Sequence, residues 1–417
     1  MKKKIALTGL LILSSLLFAS HLTGQIYQDV LGKQLELIKQ QPGIELQIRS
    51  ARPAPFQRHE HYTLTLHDPN LDSPITLVII QQLQFWPLLV KGSTHIDFVH
   101  SSLALLEGTL SAPKQHSQWH ASILGNRGAY RYQLEPMTLV LSPQNRIELG
   151  SLTLSGAFHL DLSHWDLALQ WQDMNLIHGE HTLTFEQLGI ELDATLIDDI
   201  YDMPRTALTL AALSYQDEQD TDLTLTGLSL HANIDDKRRE MQIRSDLNID
   251  QLALHWAREE LELKLNQFTF HNQVDGINSA LYRRFLALSQ LPPQQASFEM
   301  ELLIRQLLQQ GARWQLDQLQ GQITLALPNQ HIDGQLYTAG HIELLGMPSS
   351  YQRSLLAALE VDLDIHFNDS LFAQHPLADM VAHLKAKQKL NTEHALWQTR
   401  FQFQQGTASF SAPTETL

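Results

Sequence analysis

From residue 150 the chain reads GSLTLSGAFHLDLSHWDLALQW, and apolar and polar side chains alternate along it. Leu152, Leu154, Gly156, Phe158, Leu160 and Leu162 hold one parity; Thr153, Ser155, His159, Asp161 and Ser163 hold the other. Successive side chains of a strand point to opposite faces, so this pattern predicts a strand with one apolar face. At Ser163-His164 the parity switches, and Trp165, Leu167, Leu169 and Trp171 become the apolar set. A turn or bulge there would bring the chain back as a second strand beside the first.

The same alternation runs from residue 137 to residue 270 in TLVL, RIEL, HLDL, TLTF, GIEL, ALTL, DLTLTGLSL, LNID, LALHW and LELKL. These runs recur at roughly the eight- to twelve-residue spacing of successive antiparallel strands. No constant period links them, which argues against a solenoid. In DLTLTGLSL the apolar parity passes from Leu223 and Leu225 to Leu228 and Leu230 across Gly227, as a glycine bulge would make it do. Upstream, residues 44–49, 61–67 and 75–83 read as short strands, and residues 25–40 as a helix stopped by Pro42-Gly43.

Helical spacing returns in the last third. Ile277, Leu281, Phe285 and Leu288 share a helical face, and the predicted helices lie near 277–290, 298–310 and 371–389. Between them, Leu359, Val361, Leu363, Ile365 and Phe367 alternate strictly, and a hairpin over residues 397–410 ends the pattern. The expected fold class is β-rich α+β: extended antiparallel sheet or sheets with a few packing helices, preceded by one N-terminal membrane-anchor helix. The expected division is residues 1–26 as anchor or signal segment, 27–275 as an antiparallel β-rich region, and 276–417 as an α+β region.

The start of the chain gives an address. Lys2, Lys3 and Lys4 precede an apolar run over residues 5–19 that extends with small interruptions to residue 26. This is an export-type segment. Cleavage after Ala19 or Ser20 would leave bulky Leu17 or Phe18 where a small residue is preferred, which favours an uncleaved anchor. About 20 residues span a bilayer. The lysines stay on the cytoplasmic side, so the expected location is the inner membrane, single-pass, with the bulk of the chain in the periplasm.

Composition removes several functions. The net charge is −16, and no basic stripe follows the lysine triplet, so nucleic acid is not an expected partner. There is no cysteine, which excludes disulfides, thiolate catalysis and sulfur-ligated zinc.

Histidine is abundant, at 21 residues, and clusters in HEHYTLTLH, where His59, His61 and His67 share a strand parity. They are weak metal candidates, because a site needs further ligands held in place by their own partners; exposed strand histidines are the commoner case. HGEH, with His178 and His181 around Gly179, reads as a turn. Asp198, Asp199 and Asp202, and the DEQDTD run from Asp217 to Asp222, lack the turn glycine of a calcium loop and read as solvated loops. Ser111 and Lys114 have S-x-x-K spacing without companion motifs, and Gly125 and Gly128 do not complete a phosphate-binding fingerprint. No catalytic residues, metal or cofactor are therefore expected.

The order of these features resembles the YdgA-like proteins of gammaproteobacteria, a domain family of unknown function. The resemblance is carried by the basic-hydrophobic start, GIELQIRSARPAPFQRHEHYTLTLHDP after a helix, and LNIDQLALHWAREELELKLNQFTF followed by VDG and a helix. LEVDLDIHF before a helix and TRFQFQQGTASFSA at the end complete it. It implies an inner-membrane-anchored periplasmic protein rich in antiparallel β-structure, and supplies no catalytic residue.

The expected function is a non-enzymatic, membrane-anchored envelope protein that shelters lipid or another amphiphile on an apolar sheet face. Leu152, Leu154, Phe158, Leu160, Trp165, Leu167, Leu169 and Trp171 are the candidate ligand face. One alternative is a protein-interaction or scaffold module with a self-filled core, binding an envelope protein through its strand edges. A hydrolase or metal-dependent enzyme ranks third.

Overall fold

The computed structural model describes Ser20 and residues 22–25, 28 and 32, and then residues 44–412. From the latter span it omits 54–55, 68–74, 99–113, 143, 162, 198–199, 238–239, 290–292, 329, 346–357, 373–376 and 394–395. The chain divides into two compact units, Met1–Asp173 and Met174–Leu417.

Unit 1 holds β1 (Ile44–Pro53), β2 (Gln57–Leu66), β3 (Ile75–Trp86), β4 (Leu89–Phe98), β5 (Gln115–Ser122), β6 (Arg127–Leu134), β7 (Met137–Ser142), β8 (Asn145–Leu149) and β9 (Leu152–His159). The first part of β10 (His164–His178) also belongs to it. The order across the sheet is β1-β2-β3-β4-β5-β6-β9-β10, with every neighbour antiparallel, and β7 and β8 form a hairpin. The hairpin predicted around Ser163 is present: Phe158 lies opposite Trp165, Leu154 opposite Leu169 and Leu152 opposite Trp171.

The core of this unit forms where apolar positions of one parity meet across strands. Leu83, Phe85 and Val90 are buried, with Trp119 packed against them. The indole lies across β4 at Gly92, where a Cβ would come within 2.3 Å of the ring, so only glycine admits it.

Unit 2 continues as a meander of unusually long strands: β11 (His181–Ile197), β12 (Ile200–Gln216), β13 (Thr221–Lys237), β14 (Glu240–Trp256) and β15 (Leu261–Asn278). After two helices come β16 (Ala312–Leu327), β17 (Gln330–Leu344), β18 (Leu359–Phe367), β19 (Asn391–Glu393), β20 (Leu396–Gln404) and β21 (Thr407–Ser411). Each strand pairs antiparallel with the next up to β18; β18 then pairs with β20, whose other edge takes β19 and β21. A 17-residue strand extends about 55 Å at the ordinary rise per residue.

Four α-helices are described beyond the N-terminal positions: α1 (Ser279–Ser289), α2 (Pro293–Gln310), α3 (Asp369–Phe372) and α4 (Ala378–Ala386). The first two match the predicted pair, except that α2 begins at Pro293 rather than near 298; proline suits a first helical turn, where its missing N–H is not needed. The single helix predicted over 371–389 is instead two short ones. Pro376, which cannot continue a helix, falls between them in residues outside the described set.

The boundary expected at 275/276 falls inside β15, because α1 and α2 are an excursion between two strands that pair with each other, β15 and β16. The predicted N-terminal helix is helical at its described positions, Gln25, Gln28 and Gly32. The anchor expected over residues 1–26 lies largely outside the described residues; among those described, no helix is long and apolar enough to cross a membrane.

The parity shift at Gly227 is also present, with φ at +62°, but no extra residue stands opposite it on β12. Instead the kink is shared across strands. Gln187 in β11 and Gln267 in β15 also take positive φ, near +52° and +51°, at the level where their own strands change parity. Because neighbouring strands change parity together, the apolar side chains stay on one face above and below this level.

Candidate functional site

The sequence-predicted face assembles in unit 1. Leu152, Leu154 and Phe158 of β9 stand beside Trp165, Leu169 and Trp171 of β10, and Leu160 and Leu167 are likewise half-buried. On the other side β6 adds Leu134 opposite Leu152, Tyr132 opposite Leu154 and Tyr130 opposite Gly156. The Phe158 ring lies over Gly128, and the Tyr130 ring lies over Gly156, where an added Cβ would fall within 2.6 Å of its hydroxyl. Tyr130 and Phe158 have ring centroids 6.4 Å apart. Burial raises the Tyr130 phenol above its ordinary value, and Asp166 adds to this; burial alone raises Tyr132. The result is an aromatic and aliphatic strip whose members are all half-buried.

Unit 2 carries a larger version that the sequence reading did not single out. One row runs Leu183, Tyr215, Leu223, Leu254, Leu263, Leu325 and Ile332 across β11 to β17. The next runs Phe185, Leu213, Leu225, Leu252, Leu265 and Ile323 to Gly334. All are half-buried except Gly334, which is buried because Leu371 of α3 packs directly on it. Below the kink, Ile190, Leu208, Leu230, Leu247, Phe270 and Leu319 continue the face. The signal was in the sequence, in TLTF, DLTLTGLSL, LALHW and LELKL, but only the register reveals that these runs align as rows.

The opposite face is polar. His231 and His271 flank Asp246 there, and His271 contacts both Asp246, at 3.4 Å, and Asn248, at 3.2 Å. Among the described residues no group of three or more histidine, aspartate or glutamate side chains is placed to hold a metal. His59 and His61 do share a face of β2, but His67 lies beyond the end of that strand, exposed and 3.9 Å from Glu45. A shallow polar cavity of about 430 Å³ adjoins His59, with Gln57, Gln82, Gln84, Lys91 and Gln118 around it.

The DEQDTD run is a turn from Asp217 to Asp220, as expected, whereas Asp202 lies in β12, half-buried rather than in a solvated loop. Asp217 accepts hydrogen bonds from the Gln219 and Thr221 amides, and the Thr221 amide is the main reason its carboxyl lies below the usual range. Asp198 and Asp199 lie outside the described residues. Burial raises Asp202, whose neighbour Asp236 holds α1 through Ser279, at 2.8 Å, and Arg283, at 2.6 Å. Gly179 takes φ +64° in the turn between His178 and His181. Leu124, Gly125 and Asn126 turn β5 into β6.

One buried group was missed. Glu60 is 1 % exposed and is held by Arg58, at 2.6 Å, and by the Tyr62 hydroxyl, which donates to it. Burial first, and that hydrogen bond second, push the Tyr62 phenol well above its ordinary value. The signal was available: Arg58 and Glu60 hold the same parity as Tyr62, Leu64 and Leu66, so the strand alternation put two charges on the apolar side.

No curated protein and no solved structure matches the chain. A family model described as a bacterial protein of unknown function (DUF945) matches residues 1–410. The chain therefore belongs to the DUF945 family.

Proposed function

We propose that this protein is a non-enzymatic, YdgA-like envelope protein of the inner membrane, anchored by the N-terminal apolar run that begins at residue 5, whose periplasmic sheet faces shelter the acyl part of a lipid or similar amphiphile. The observation that carries this reading is the set of unbroken apolar rows across seven strands of unit 2, half-buried along their length except where α3 covers the end of the second row at Gly334. Water against such a face is unfavourable by about 25 cal/mol per Å² of apolar surface, and an acyl chain laid along it relieves that cost. The half-buried aromatic strip of unit 1 has the same character.

The test is site-specific photocrosslinking of the full chain in its own membrane, with benzoylphenylalanine in place of Leu252 or Leu169. Phospholipid adducts identified by mass spectrometry are expected at both positions. Crosslinks to the chain itself or to another protein, with no lipid adduct, would reject the reading. The second reading, a scaffold with a self-filled core, is favoured by two regions where the protein covers its own apolar surface: the α4 face around Phe367, and Leu83, Phe85 and Val90 under Trp119.

A further inference from the structure

At one end of unit 1, turns that are distant in sequence lie side by side. Phe56 precedes β2, residues 87–88 join β3 to β4, residues 123–126 join β5 to β6, and residues 160–163 join β9 to β10. Backbone hydrogen bonds stitch them together: the Phe85 amide donates to the Phe56 carbonyl at 2.9 Å, Ile123 to Leu88 at 3.0 Å, and Leu160 to Asn126 at 3.3 Å.

Turn tips ordinarily carry Gly, Pro, Asn, Asp or Ser. Here Phe56, Trp86 and Leu124 are 42 %, 56 % and 80 % exposed. One exposed apolar side chain needs no explanation, but two in neighbouring turns and a third, Trp86, at the last position of β3 beside them form a patch at one end of the sheet.

A second observation identifies what the patch faces. The helical residues Ser20 and Thr23, 4 % and 0 % exposed, are buried, and Thr23 Oγ1 accepts the Leu88 amide at 2.8 Å, inside this row of turns. Gly24 lies against the Phe85 ring, where an added Cβ would be 3.8 Å away. Leu22, between the buried positions, is 40 % exposed. Ser20 directly follows the apolar run of residues 5–19, so no linker separates that run from the docked residues.

We infer that this row of turns is a bilayer-contact lip: Phe56, Trp86 and Leu124 enter the interfacial layer of the membrane in which residues 5–19 are anchored. The inference rests on the anchored reading above. Aromatic side chains favour that layer, because the ring is apolar while Trp keeps a donor for the wet side. Arg127 and Asp161, both exposed at these turns, are of opposite sign, so the contact is apolar and insensitive to salt. The lip also gives the unit 1 strip a direction. Phe158 and Trp165 flank the turn at residues 160–163, while Leu152 and Trp171 lie at the far end; an acyl chain drawn from the bilayer would meet the first pair first.

The natural absence of cysteine allows single-cysteine labelling of the full chain. Leu124→Cys and Trp86→Cys would carry an environment-sensitive fluorophore in phosphatidylethanolamine/phosphatidylglycerol vesicles containing phospholipid with a nitroxide near the headgroup. Lys114→Cys is the control: its side chain is 81 % exposed, as open as Leu124, but it lies beyond the opposite end of β5, about 30 Å away. Blue-shifted emission and several-fold stronger quenching at 124 and 86 than at 114, unchanged in high salt, are expected. Equal quenching at 124 and 114 in a chain that resists carbonate extraction would overturn the lip and leave the anchor standing. Release of the chain by carbonate would overturn both.

Discussion

The two ends of the unit 2 face differ in what covers them. Around Phe367 the protein seals its own apolar surface: Val381 and Leu384 of α4 bury Phe367 and Leu390, with Leu336, Ile365, Leu371, Phe372, Trp397 and Phe410 packed around them. Across β13 to β16, Leu223, Leu254, Leu263 and Leu325 carry the same alternation in the same register but remain half-buried. Strand patterning therefore makes an apolar face without deciding whether it becomes a core; a covering element decides that. The leucine row has the composition of a core but keeps part of its surface exposed.

Truncation is the strongest way to break this comparison. Phe367→Ala should cost about 3–5 kcal/mol, because it empties a packed site that cannot fully collapse. Leu254→Ala should cost about 1 kcal/mol or less in delipidated protein, since its side chain already keeps part of its contact with solvent. Denaturant melts of the two variants check this, and equal losses would mean that the row is as well covered as the cap.

The buried charge in unit 1 comes next. Glu60→Ala should cost about 3 kcal/mol, because it leaves Arg58 without its buried partner. Replacing Arg58 and Glu60 together by apolar residues of similar volume should recover much of that loss. A double replacement no better than the single one would show that the pair acts through more than mutual neutralisation.

Legibility from sequence followed the same division. The strands, the β9–β10 hairpin and α1 could be read because period two and period 3.6 are local properties, and the candidate strip from Leu152 to Trp171 assembled as expected. The long rows of unit 2 could not be read, because they depend on register across seven strands. Nor could the shared kink at Gln187, Gly227 and Gln267: glycine advertises a positive φ, whereas glutamine gives no such notice. The lip was hidden for a related reason, since Phe56, Trp86 and Leu124 are far apart in sequence and become neighbours only through β-pairing.

A smaller effect sharpens the sealed end. Arg400 grips Asp362 through two hydrogen bonds, at 2.7 and 2.5 Å, and this holds the Asp362 carboxyl below its usual range. A lowered carboxylate stabilises the fold fully above the unfolded-state value, and that contribution fades as pH falls through the lowered folded value. Asp362→Asn should therefore flatten part of the acid limb of the stability profile while costing under about 1 kcal/mol near neutral pH, because the arginine is partly exposed. An unchanged acid limb in pH-dependent melts would assign the acid sensitivity to other carboxylates.

The most direct test asks whether lipid covers the open rows. In the full chain in native membranes, single cysteines at Leu254 and at Phe367 would be challenged with a water-soluble thiol reagent before and after lipid is stripped. The account expects the cysteine at 254 to be protected at first and reactive after stripping, while the one at 367 stays protected throughout. A cysteine at 254 that reacts immediately, or that stays protected after all lipid is gone, would contradict it.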